Sequence, residues 1–167
     1  MDIKEKFTKV IKANEGLIYK ITTLYTDGTQ DRKDLYQEIV YQLWKSFDTY
    51  KEQSKLSTWM YRVALNTAIF HLKQTKKRVD TIPFELEMER MTEEGDNAGE
   101  ERIKILYEHI QHLNLLEKGI ILLYLEGKSH EEIAEIVGIS TSNVGTKISR
   151  IKEKLKSQIK NNDNYGT

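Results

Sequence analysis

The chain has 167 residues, 38% hydrophobic and 31% charged, enough for one medium domain or two small ones with a buried core. It has no cysteine, which excludes disulfides and thiolate metal sites and fits a reducing cytoplasm. The opening MDIKEKFTKVIK holds no apolar core of a signal peptide, and no apolar run approaches the ~18 residues that span a bilayer, so membrane insertion is not expected.

The formal net charge is zero, but the charges are segregated. From Asp80 to Arg102 nine acidic residues stand against two arginines, a local net of −7. From Val144 to Lys160 six cations stand against Glu153, a local net of +5. Lys73, Lys76, Lys77 and Arg78 form a second basic cluster. Two basic patches separated by an acidic stretch fit two DNA-contacting modules on one chain.

The expected fold class is all-α, with two small helical domains. Residues 4–27 read as helical, with Phe7, Val10, Ile11, Leu17, Ile18, Ile21, Leu24 and Tyr25 apolar, and Asp27-Gly28 as the break. A second helix is expected from about Arg32 to Phe47, with Leu35, Ile39, Leu43 and Phe47 on one face. A polar loop, 48–54, leads to a long helix from about Lys55 to Arg78. Leu56, Met60, Val63, Thr67 and Phe70 mark one stripe of that helix; Trp59, Arg62, Asn66 and Lys73 mark a neighbouring one. The first domain is placed at 1–79.

Residues 80–100 read as an acidic flexible linker, carrying the single proline, Pro83. Fully stretched it reaches at most ~70 Å. The second domain is placed at 101–160, with helices at 101–113 and 116–126, and a frayed tail at 161–167. Ile103, Leu106, Ile110 and Leu113 form its first apolar stripe, and Ile120–Leu125 is the most apolar run of the chain.

The stretch SHEEIAEIVGISTSNVGTKISRIKEKLKSQIK, Ser129 to Lys160, reads as helix, turn and basic helix. Ser129 and Glu132 fit a capping box. Ile133, Ala134 and Val137 supply the first apolar face. Gly138 suits a left-handed helix end, and Ser140 or Thr141 caps the basic helix. Val144, Ile148, Ile151, Leu155 and Ile159 recur on one face of that second helix. Short polar side chains near its start and cations further along suit a recognition helix in the major groove. A plain helical hairpin with a solvated basic face carries the same pattern. His109 and His112, three apart, lack the further ligands of a metal site and read as polar-face residues, and no phosphate-binding glycine loop is present. No cofactor, metal or catalytic residue is expected.

Four pieces, in order, resemble the sigma-70 family, in its short extracytoplasmic-function (ECF) type. DLYQEIVYQLW (Asp34–Trp44) resembles region 2.2. LSTWMYRVALNTAIFHLKQTKKR (Leu56–Arg78) resembles regions 2.3 and 2.4. LYLEGKSHEEIAEIVGIS (Leu123–Ser140) and NVGTKISRIKEKL (Asn143–Leu155) resemble region 4, the latter in a variant similar to that of Bacteroidetes-like bacteria. The resemblance implies a factor that binds core RNA polymerase and directs promoter-specific initiation. It matches Asp34, Gln37, Glu38, Leu43 and Trp44 to the surface that docks on polymerase. Tyr50, Trp59, Arg62, Asn66, Lys73, Lys76 and Lys77 match the side that opens the -10 element. Asn143, Thr146, Lys147, Ser149, Arg150 and Lys154 match the helix that reads the -35 element. It further implies an anti-sigma partner and a monomer when free.

Locally, other readings stand beside these. Leu35 and Leu43 read locally as core, and Asp34, Gln37 and Glu38 fit a solvated face equally. Trp59 fits core packing. Asn66 can pair with adenine or fill a packing gap. Gly145 stands where the family commonly has a cation, and Lys147 replaces arginine without its fork. The rival readings are a helix-turn-helix regulator with an unrelated sensing domain and a sigma-like decoy that binds polymerase or an anti-sigma factor without productive DNA contact.

Overall fold

The computed structural model describes residues 2–50, 52, 54–78 and 98–165, with the backbone alone at 75–78, 98–100 and 161–165. Eight helices and no strand occur among them: α1 (Ile3–Ala13), α2 (Glu15–Tyr25), α3 (Thr29–Phe47), α4 (Leu56–Arg78), α5 (Ala98–Gln111), α6 (Leu115–Leu125), α7 (His130–Val137) and α8 (Thr141–Tyr165). They form two compact units, Met1–Asp80 and Thr81–Thr167. No described helix is long and apolar enough to cross a membrane.

The first unit packs α2, α3 and α4 together, with α1 laid on α3. Ile18 and Ile21 of α2, Leu35, Ile39 and Leu43 of α3, and Met60, Ala64 and Ala68 of α4 are fully enclosed. Their spacings of three and four residues put each set on one helical face. Asp31 of α3 and His71 of α4 approach to 3.5 Å at the rim. The helix expected over 4–27 is in fact two. At Asn14 the backbone leaves the helical region (φ −125°, ψ 21°), and the Asn14 amide donates to the Val10 carbonyl at 2.8 Å. A short polar side chain that bonds its own backbone competes with the helical ladder. Helix α3 starts three residues before the expected Arg32, with Gly28 as N-cap. Phe70, on the stripe with Met60, is 62% exposed, while Tyr61 and Leu65, off that stripe, are buried.

The second unit is built on α6, whose Ile120, Ile121, Leu122 and Leu123 are all buried. That run is therefore interior to its own unit, and only Leu125 at its end is an exposed large apolar residue. A reciprocal capping box starts the helix: Glu117 N–H donates to Asn114 Oδ1 (2.8 Å), and Asn114 N–H donates to Glu117 Oε1 (3.1 Å). Helix α5 begins at Ala98, so the last three residues assigned to the linker are helical; 80–97 lie outside the described residues. Of the stripe expected on α5, Ile110 is buried but Ile103 is 55% exposed. His109, expected on the polar face, is buried.

Helices α7 and α8 form the helix-turn-helix. Ser129 Oγ accepts from Glu132 N–H at 3.1 Å and Ser140 Oγ from Asn143 N–H at 3.1 Å, one cap for each helix. Gly138 ends α7 at φ 77°, ψ 35°, with its N–H donating to the Ala134 carbonyl at 2.9 Å. Ile133, Ala134 and Ile136 of α7 and Val144, Ile148, Ile151 and Leu155 of α8 are buried; Val137 and Ile159 are half-buried. Helix α8 runs on to Tyr165, past the tail expected from 161; after Gly145 the chain meets no glycine or proline until Gly166.

A Cβ on Gly138 would meet no atom within 4 Å, so its requirement is conformational alone. Gly138→Ala is expected to cost ~1–2 kcal/mol, the penalty of a left-handed non-glycine residue. It should lower the melting midpoint of the second unit by at least ~4 °C. A midpoint within ~1 °C of wild type would mean that the turn relaxes out of the left-handed region.

Candidate polymerase and DNA interfaces

The exposed side of α3 carries Asp34, Gln37, Glu38 and Tyr41, successive neighbours at three- and four-residue spacing. Asp34 Oδ1 accepts from Gln30 Nε2 and Glu38 Oε1 from Gln42 Nε2, both at 3.1 Å. These are pairs between exposed side chains of one helix, so a partner can replace them at little cost. Lys45 Nζ lies 5.3 Å from the Tyr41 ring centroid. Trp44 is half-buried and meets Phe7 of α1 edge-on, at 5.0 Å and 60°. Between α1 and α3 an open groove of about 590 Å³ is lined by Phe7, Tyr36, Gln37, Val40, Tyr41 and Trp44. Burial, and secondarily the negative charge of Glu15, raise the pKa of the Tyr36 phenol above its ordinary value, so it stays a neutral hydrogen-bonding group.

Leu43 departs from the expected set. It is 0% exposed, inside the α3–α4 core, and cannot touch a partner of the folded chain. Conversely, Tyr41 belongs to the exposed side although motif reading passed over it. Its spacing from Gln37 and Glu38 was the available signal.

On the expected -10 side, Tyr50 and Trp59 form a stack, with centroids 4.9 Å apart and planes 28° off parallel. The Tyr50 hydroxyl donates to the Ser54 carbonyl at 2.5 Å, closing the loop ahead of α4. Glu52, in that loop, has φ 57°, which is uncommon for a residue with a side chain. Trp59 is only 9% exposed and lies 6.2 Å from Phe47, so it supports Tyr50 from within and does not stand on the surface beside Arg62 and Asn66. Arg62, Asn66 and Lys73 are exposed. Phe70 shares their strip, four residues after Asn66 and three before Lys73, and adds an exposed aromatic. The side chains of Lys76 and Lys77 lie outside the described ones.

On α8, Asn143, Thr146, Ser149 and Arg150 are exposed and Lys147 is half-buried. The Thr146 hydroxyl donates to the Ser142 carbonyl at 3.2 Å, leaving its lone pairs outward. Lys154 Nζ lies 3.6 Å from Glu117 Oε1, on a carboxylate that also caps α6. Lys152 Nζ donates to the Tyr124 hydroxyl at 2.6 Å and sits 4.3 Å from that ring's centroid. These two cations tie α8 to α6. A phosphate contact by Lys154 requires exchange of its carboxylate; Lys154 is half-exposed, while Glu117 is largely covered.

The Sigma-70 region 2 family model matches residues 10–78 and the Sigma-70 region 4 model matches 103–155. The chain belongs to the sigma-70 family, in its ECF branch. The ECF RNA polymerase sigma-E factor of Escherichia coli K12 is 30% identical over 141 residues, 77% of this chain and 74% of that one. The sigma-E factor of Haemophilus influenzae is 27% identical over 168 residues, covering 93% and 88%. RNA polymerase sigma factor SigV of Bacillus subtilis is 29% identical over 150 residues, covering 87% and 86%. Among solved structures, the sigma factor RpoE of Bartonella quintana, in complex with the anti-sigma factor NepR, has a TM-score of 0.68 at 17% identity, covering 95% of this chain and 97% of that one. CnrH, in complex with the cytosolic domain of CnrY, has a TM-score of 0.68 at 16% identity, covering 94% and 89%. At these identities the likeness is one of fold. As a member of the family the chain is a non-enzymatic subunit that binds core RNA polymerase and directs promoter-specific initiation.

Proposed function

We propose that this ECF sigma factor uses its first unit, 1–79, to dock on polymerase and open the -10 element, and its second, 101–160, to read the -35 element. The docking surface is the exposed side of α3: Asp34, Gln37, Glu38 and Tyr41, with Trp44 at the groove edge. Arg62, Asn66, Lys73 and the Tyr50–Trp59 platform take the -10 strand, since melted bases are held by aromatic faces beside cations. Asn143, Thr146, Lys147, Ser149 and Arg150 read the -35 duplex, with Lys154 at the edge. The observation that carries the -35 assignment is the doubly capped helix-turn-helix, which leaves the first turns of α8 exposed and polar while Val144 and Ile148 are buried.

The factor acts in the cytoplasm, as a monomer when free, and is held inactive by an anti-sigma protein. The resemblance to RpoE, solved with the anti-sigma factor NepR, supports that last point. Co-purification with core polymerase, followed by transcription from a random promoter pool, tests the reading. Stable binding with start-site selection supports it and delivers the promoter. Binding without transcription favours a decoy, and duplex binding without polymerase binding favours an ordinary regulator.

Arg150→Ala is expected to weaken binding to the recovered promoter by ~1–3 kcal/mol and to relax the preference at one base pair. A uniform loss across sequences would make Arg150 a phosphate contact.

A further inference from the structure

Position 145 leaves a gap on the surface of α8, and a side chain from α7 borders it at van der Waals distance. A Cβ placed on Gly145 would lie 3.7 Å from Nδ1 and 3.8 Å from Cε1 of His130. The imidazole edge thus lies against bare helix backbone, at the place from which a side chain of residue 145 would rise. His130 is itself exposed, as are Ser142, Thr146 and Ser149 around the gap. Residues three and four apart adjoin on a helix surface, so the ring borders the strip from Ser142 to Ser149. Val144 and Ile148, on either side of this position, are buried, and α7 and α8 pack together.

We propose that His130 is a DNA-contacting residue of the -35 module, presented through the gap at Gly145 to a phosphate oxygen beside the bases met by Thr146 and Ser149. This rests on the -35 reading given above. An imidazole always offers at least one N–H donor, and a phosphate oxygen is an acceptor, so the contact forms in either protonation state. The surrounding charges are mixed. Glu131 is exposed beside His130, and Glu132 is paired with Lys128 at 3.7 Å; Lys147 and Arg150 lie on α8. The proposal makes residues 130 and 145 alternatives. A long side chain at 145 must either displace the ring or run beside it, and a lysine rooted there can supply a donor at the same place once the ring is gone.

The test uses holoenzyme and the promoter fragment recovered from the random pool, with affinity measured for wild type, His130→Ala, Gly145→Lys, the double variant and Arg150→Ala. His130→Ala is expected to weaken binding about tenfold, equally across base substitutions, at an unchanged melting midpoint. Gly145→Lys should restore most of that loss in the His130→Ala background and add little in the wild type. Wild-type affinity for His130→Ala, with Arg150→Ala impaired, overturns the proposal and leaves the -35 reading standing. If neither variant is impaired, the -35 reading fails and the proposal with it. A loss that comes with a lowered midpoint, and that lysine at 145 does not repair, makes the ring a packing element and also overturns it.

Discussion

Leu43→Ala is expected to destabilise the first unit by ~2–5 kcal/mol, the range for emptying an enclosed leucine site. Leu43 is 0% exposed, and the residues four and eight positions before it, Ile39 and Leu35, are equally enclosed. All three are enclosed on the side of α3 that packs in the core of the unit. Domains of this size are stable by only ~5–15 kcal/mol, so the loss is a large share of the total. The melting midpoint of the unit should fall by at least ~10 °C, read by circular dichroism. Polymerase binding should weaken only as far as the unit unfolds, and should recover on cooling below the new transition. A midpoint within ~2 °C of wild type would show that Leu43 is not in the core.

Leu43 also shows what a motif conceals. DLYQEIVYQLW marks α3 as a docking element, but it interleaves residues that face out with residues that hold the helix down. In a helix the two kinds alternate every few positions, and letters alone do not say which side meets the partner. Asp34, Gln37 and Glu38 are exposed, as polar residues on a half-buried helix should be; Leu43 is not. Trp59 repeats the lesson. It sits on a stripe with Arg62 and Asn66, yet its ring turns under Tyr50 and toward Phe47, a choice set by aromatic neighbours on another helix and a loop.

The features legible from sequence were those decided within a few residues. Ser129, Gly138 and Ser140 fixed the borders of the helix-turn-helix because caps and a left-handed helix end are local chemistry. The break at Asn14 is local too, but asparagine is also tolerated within helices, so the apolar pattern running through 4–27 outvoted it. Nothing in the sequence pairs Lys154 with Glu117, or lays His130 over Gly145. Each contact joins different helices and exists only once the buried faces have set the crossing. Phe70 and Ile103 were misplaced for a related reason. Each lies on an apolar stripe, but neighbouring helices decide which face is covered, and these two positions fall outside it.

Glu38→Lys is expected to weaken polymerase binding by a factor of ~100 or more while leaving the fold intact. The side chain is exposed in the interior of α3, and its hydrogen bond to Gln42 is between exposed residues of one helix, worth a few tenths of a kcal/mol. The melting midpoint should therefore move by no more than ~2 °C. At an interface the same change replaces an attraction by a like-charge contact, which costs several kcal/mol. The loss should shrink at high salt, where charges beyond a few ångströms are screened. Glu38→Gln should fall between wild type and the reversal, since it removes the charge and keeps the shape. The contrast with Leu43→Ala separates surface from support: one variant melts early and binds when cold, the other melts normally and binds poorly at every temperature. Wild-type polymerase affinity for Glu38→Lys would remove this side of α3 from the interface, and the groove between α1 and α3 would then lose its claim to border it.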